Sequence, residues 1–165
     1  MKRIGFYVLV AIQVLFLVGM AIAYYVIDDV GETIKLQTLP VDPQDLFYGD
    51  YVTLRYQIEE IPDEKWLGDT DDTDGRIHVI VEQADDGFHQ VVKASNQKLQ
   101  ASENQAKLTA AYRYYDAHSQ THHVNYGINR YYIEDNTGAQ YEQSGEMEVT
   151  VAVAPWGHKK IEELK

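Results

Sequence analysis

Hydrophobic positions along this chain follow two regimes. From Ile4 to Ile27 the sequence runs 24 residues without a charge, and Gln13 is the one strongly polar side chain in the stretch. Wound as an α-helix at about 1.5 Å per residue, it would reach roughly 36 Å, enough to cross a hydrocarbon core of about 30 Å with some tilt. No polar stripe marks a second face, which sets it apart from the core helix of a soluble domain. Beyond it the period changes to two. Val52, Leu54, Tyr56 and Ile58 alternate with Tyr51, Thr53, Arg55 and Gln57, predicting a strand that begins at Asp50. Ile77/Val79/Val81, Leu108/Ala110/Tyr112/Tyr114 and Met147/Val149/Val151/Val153 repeat the alternation, and Tyr126–Ile133 does so less regularly.

Turn signals separate these runs. Asp86-Gly87 falls between the strand at Ile77–Glu82 and one near Phe88–Lys93, Asn136-Thr137-Gly138 follows Ile133, and Pro155-Trp156-Gly157 precedes Lys159–Leu164. Two polar stretches, Pro62–Gly75 and Ser95–Ala106, read as surface loops, the second with a helical turn. Half-buried strands joined by hairpins predict a mostly β fold, an antiparallel sandwich or partly open barrel preceded by one N-terminal transmembrane helix.

Charge adds an orientation. Lys2 and Arg3 precede the apolar run and Asp28 and Asp29 follow it, so the positive-inside rule keeps residues 1–3 in the cytoplasm, residues 4–27 in the bilayer and residues 28–165 outside. Ala21-Ile22-Ala23 offers the small-x-small pattern of a signal-peptidase site, but the run is longer than a usual signal core and favours an uncleaved anchor. The outer part keeps 12 basic and 26 acidic residues, a net charge of −14, which repels nucleic acid and anionic lipid headgroups and predicts neutral, cationic or protein partners. The chain has no cysteine, which excludes disulfides, thiolate metal sites and a cysteine nucleophile.

The most distinctive stretch runs from Val41 to Tyr56. Asp42 suits a helix N-cap, Pro43 the first helical position and Asp45 the third, so one helical turn is expected to end near Tyr48, with Gly49 free to reverse the chain into the strand. Gly49-Asp50-Tyr51-x-x-Leu54-x-Tyr56 resembles the signature of the bacterial GDYXXLXY family of membrane-anchored proteins at all five defining positions. The approach Asp42-Pro43-x-Asp45-Leu46 and the later Tyr126-Gly127-x-x-Arg130-Tyr131-x-x-Glu134 extend the similarity over nearly the whole chain. The resemblance implies an anchored envelope protein and, as a partner besides the lipid bilayer, a multi-pass membrane protein. It implies no reaction and no cofactor.

Candidate chemistry is sparse. The run ending in Gly49-Asp50-Tyr51-Val52 superficially resembles a turn of membrane signal peptidases, yet there is no serine before Ser95 to act as nucleophile. Asp42, Asp45 and Asp50 form a carboxylate group suited to acid–base work or to a hard cation, or to capping backbone N–H groups. Aligning Gly75 with the sixth position of a calcium loop leaves Thr70 first and Val81 twelfth, so Asp69–Gly75 is a solvated acidic loop rather than an EF-hand. His118 and His122 flank a hairpin tip where zinc or copper could bind, although His122 and His123 point to opposite faces and an exposed polar hairpin is the plainer reading. Tyrosines 112, 114, 115, 126, 131 and 132 form stripes that pack a sheet or greet a partner. Arg55 and Arg130 suit ion pairs with Asp50 or Glu134, and Trp66 and Trp156 suit packing over loops.

These readings favour a noncatalytic accessory or interaction domain of the cell envelope. A ligand-binding sensor for a metal, sugar or peptide is the alternative, and a hydrolase built on Asp42, Asp45 and Asp50 the least supported.

Overall fold

The computed structural model describes residues 2–39, 51–69, 75–133 and 145–165. Helix α1 (Lys2–Val30) leads into strands β1 (Glu32–Gln37), β2 (Tyr51–Thr53), β3 (Glu60–Pro62), β4 (Arg76–Gln83), β5 (His89–Ser95), β6 (Gln105–Asp116), β7 (Thr121–Asn125), β8 (Arg130–Tyr132), β9 (Glu148–Val153) and β10 (Lys159–Leu164). Short 3₁₀ turns at Gln57–Glu59 and Asp63–Lys65 flank β3. The segment Arg3–Ile27 is long and apolar enough to cross a membrane, and none of its most apolar window is buried against the protein.

Among the described residues the strand ladders are antiparallel and fall into three sheets, ordered β1-β9-β10, β2-β8 and β3-β7-β6-β4-β5. The five-stranded sheet curls until it nearly closes: beyond β3, Trp66 bridges Ala94 of β5, and the Leu67 N–H donates to the Ala94 carbonyl at 2.8 Å. The three-stranded sheet lies across it. Ile34 and Leu36 of β1 and Val149, Val151 and Val153 of β9 share one core with Ile77, Val79 and Val81 of β4 and Leu108 of β6. Period-two alternation puts each of these sets on one face of its strand. At the junction with α1, Ile27 is buried with Ala152 and Ala154, which occupy the other face of β9 and the start of its turn. Gly31 sits where an added Cβ would lie 2.5 Å from the Ile27 carbonyl oxygen, so the chain turns out of the helix closely enough to require glycine.

Three expectations need correcting. The strand from Asp50 to Ile58 pairs as a ladder only over Tyr51–Thr53; the Leu54 N–H then donates to Asn129, Tyr56 bridges Thr38, and a 3₁₀ turn begins at Gln57. The alternation survives because Leu54, Tyr56 and Ile58 remain buried while the backbone changes partners. Pro62–Gly75 is not wholly a surface loop: Pro62 closes β3, and Trp66 is 8% exposed within the core. Ser95–Ala106 contains no helical turn; Ser95 ends β5, Gln105 and Ala106 begin β6, and Asn104 turns the chain with φ at 70°. The turn at Asn136-Thr137-Gly138 and the helical turn expected before Tyr48 lie outside the described residues.

Candidate functional site

Of the signature and its approach, Asp42, Pro43, Asp45, Gly49 and Asp50 lie outside the described residues, as does Glu134. The rest divides into a buried half and an open half. Leu54 and Tyr56 are sealed in the core. The Tyr56 hydroxyl donates to the Ile128 carbonyl at 2.8 Å, and in the reverse direction the Tyr126 hydroxyl donates to the Ile58 carbonyl at 2.9 Å. The two family-like segments are therefore stitched together by a reciprocal pair of phenols. Burial first, and then the nearby Glu59 charge, holds both hydroxyls above the ordinary tyrosine range.

The open half is the β2–β8 ribbon. Tyr51 pairs with Tyr132 and Thr53 with Arg130. The Tyr51 and Tyr132 rings meet edge to face with centroids 6.2 Å apart, and the Arg130 guanidinium lies 5.1 Å from the centre of the Tyr51 ring. Tyr132 is 72% exposed, while Tyr131, on the other face, packs partly against the core. Half-buried Tyr51 of the signature is thus flanked on one face of the ribbon by exposed Tyr132 and Arg130. Arg55 makes an ion pair with Glu60 at 2.8 Å, and its other expected partners, Asp50 and Glu134, lie outside the described residues.

Glu59 sits behind the signature, 9% exposed. Its Oε2 accepts the Tyr56 N–H at 3.4 Å, and its Oε1 has no partner among the described residues. Burial pushes the carboxyl up to about 7, against the opposing pull of that N–H and of Arg55 and Arg113.

The histidine hairpin is not the exposed polar element expected. His118 stays at its open tip, with its N–H donated to Asp116, but His122 is fully buried and stacked on Trp66 at 4.1 Å. With Nε2 donating to Asp63 at 3.0 Å, the His122 Nδ1 is left to accept the Tyr112 hydroxyl at 3.1 Å. Trp66 and Tyr112 close around the ring, so the cluster fastens the 3₁₀ turn after β3 to β6 and β7. Among the described residues no three histidine, aspartate or glutamate side chains are grouped to hold a metal ion. A bulge between Tyr112 and Tyr114 then breaks the tyrosine stripe: Tyr114 leaves the core face, is 55% exposed and stacks on His123.

A further feature has no counterpart in the local pattern of residues. Arg76 at the start of β4 and Lys159 at the start of β10 line a single open cleft of about 420 Å³, together with Thr109, Asn125 and the glycines at positions 75 and 127. The Lys159 ammonium donates to the Thr109 carbonyl and lies 5.9 Å from the centre of the Tyr126 ring. Burial, and secondarily Arg76, brings it down to about 8. The one available signal was two basic residues at strand starts in an acidic domain, which no periodicity marks.

The family described as GDYXXLXY protein matches residues 13–164. No curated protein and no solved structure matches the chain.

Proposed function

We propose, taking as premise that this chain belongs to the GDYXXLXY family, that it is a noncatalytic interaction domain held at the outer face of a bacterial membrane by α1. The observation that carries the reading is the uncovered helix. Arg3–Ile27 buries none of its most apolar window in the protein, and an apolar surface of that length needs lipid or another helix to cover it. Lys2 and Arg3 at one end and the interfacial rings of Tyr24 and Tyr25 at the other agree with an N-terminus in the cytoplasm. Ile27, packed on Ala152 and Ala154, lies beyond the small-x-small site at Ala21–Ala23 and stays with the domain whether or not the chain is cut there, but the apolar run is longer than a usual signal-peptide core. This favours an anchor that is kept.

Tyr51, Tyr132 and Arg130 supply the contact surface in this reading. Aromatic and arginine side chains are the types enriched at protein interfaces, and their place on the signature ribbon suits a partner common to the family. A multi-pass membrane protein fits, because the ribbon is carried by a domain tethered directly to the bilayer.

A photoreactive residue in place of Tyr51 tests this in cells. The expected result is one dominant cross-linked membrane protein, lost when Tyr132→Ala and Arg130→Ala are combined. Labelling of Ser119→Cys, at the exposed hairpin tip of a chain with no other cysteine, should occur from outside intact cells. Labelling only after lysis would overturn the orientation, and a diffuse set of cross-links would overturn the interaction role.

A further inference from the structure

We infer that the Arg76–Lys159 cleft binds a phosphate group, presented either by a phospholipid headgroup or as free phosphate. Two cations share the cleft in a chain of net charge −12. Elsewhere Lys35–Glu148, Arg55–Glu60 and Lys165–Glu163 are matched ion pairs. Arg76 and Lys159 form no ion pair with any described residue, and Arg76 disfavours the charge on Lys159. Juxtaposed like charges in a partly buried site cost stability unless an anion joins them.

The rest of the lining suits an oxyanion. One of the three Lys159 N–H bonds is taken by the Thr109 carbonyl, leaving two. Asn125 accepts the Gly127 N–H through Oδ1 at 2.8 Å, so its amide NH₂ remains as a donor. Thr109 adds a hydroxyl, and the Arg76 guanidinium offers the planar fork that matches two phosphate oxygens. Gly75 and Gly127 keep the rim open: a Cβ at either would meet nothing within 4 Å, and Gly127 has φ at +76°.

Position supplies the source of the phosphate. Lys159 pairs with Val153, which pairs with Glu32, so Lys159 lies two strand spacings, about 10 Å, from the residue that follows the exit of α1. The next residue, Lys160, places its ammonium 4.6 Å from the centre of the Tyr24 ring, and Trp156 in the same turn is 51% exposed. Tyrosine, tryptophan and lysine in this arrangement are the side chains that settle at a headgroup layer. The assignment of a lipid source rests on the proposed membrane anchoring; the phosphate site itself does not.

The test uses the full chain in neutral detergent. Native mass spectrometry follows retention of phosphatidylglycerol against a phosphate-free diglucosyl diacylglycerol, while the Thr109 and Gly127 amide resonances are followed during titration with inorganic phosphate. The expected result is retention of the phospholipid alone, about tenfold weaker in Arg76→Gln/Lys159→Gln and within about threefold of the parent in Lys159→Arg, which keeps the charge. Near-UV circular dichroism of the variants checks that the core around Trp66 is unchanged. Amide shifts with phosphate that disappear in the double variant, without lipid preference, would support the site with a free anion as its ligand. If alkaline carbonate also released the chain from membranes, the anchoring reading would fall while the site stood. Equal binding of both probes by the parent and the double variant would overturn the site, whatever the anchor does.

Discussion

Tyr56→Ala is expected to lower the unfolding free energy of the β domain by about 4 kcal/mol, the usual range for truncating a fully buried aromatic side chain. Tyr56 has no exposed surface, so the residue it leaves behind is a cavity in the single core shared by the three sheets. The substitution also removes the donor to the Ile128 carbonyl, and with it one of the two phenol bonds tying the signature to the segment before β8. Tyr56→Phe keeps the ring and loses only the hydrogen bond, so a cost of about 1 kcal/mol is expected. Since whole domains are stable by only about 5–15 kcal/mol, the alanine variant should be largely unfolded under conditions the phenylalanine variant tolerates. Urea unfolding of the full chain in neutral detergent, followed by the fluorescence of buried Trp66, measures both. A loss under about 1 kcal/mol for Tyr56→Ala would mean that the last signature position does not hold the core.

Glu59 gives the second large effect, and it depends on pH. Its carboxyl is raised from an ordinary 4.5 to about 7 in the folded protein, so between those values the folded state holds a proton that the unfolded state has released. Stability from this group is therefore fully present below about 4.5 and is lost as pH rises through about 7. The size of the shift corresponds to about 3 kcal/mol. Glu59→Gln removes the titration while keeping the shape. The unfolding free energy of the parent minus that of the variant should fall by about 3 kcal/mol between acid and mildly alkaline pH. Taking this difference cancels every other titrating group. A difference that stays constant with pH would show that Glu59 titrates alike in the folded and unfolded chain, with no burial effect on its carboxyl.

Tyr56 ends the signature and Glu59 lies just behind it, and the burial of Tyr56 accounts for the last signature position. Leu54 and Tyr56 answer to packing, because each fills the core while the backbone around it exchanges one partner for another. Tyr51 is different: its ring lies on the ribbon surface with Tyr132 and under Arg130, where packing makes little demand. Among the described signature positions, Leu54 and Tyr56 thus build the domain, while Tyr51 lies on the ribbon.

Much of the architecture could be read directly from residue order. An uncharged run of helical length, period-two alternation at Ile77–Val81 and Met147–Val153, and turn chemistry at Asp86-Gly87 and Pro155-Trp156-Gly157 each depend on neighbours a few residues away, and each appears in the fold. The signature likewise carried the family, since its spacing is local. Alternation reports which face of a strand is buried, but backbone hydrogen bonds are the same for every residue, so it does not report which strand lies alongside. Only the tertiary structure could decide the order β3-β7-β6-β4-β5 and the near closure through Trp66 and Ala94. It decided that one bulge turns Tyr114 outward, that His122 is enclosed by Trp66, Tyr112 and Asp63, and that Arg76 meets Lys159 across sheets remote in sequence. Each of these is set by long-range contact geometry, which a local pattern of apolar and polar residues does not encode.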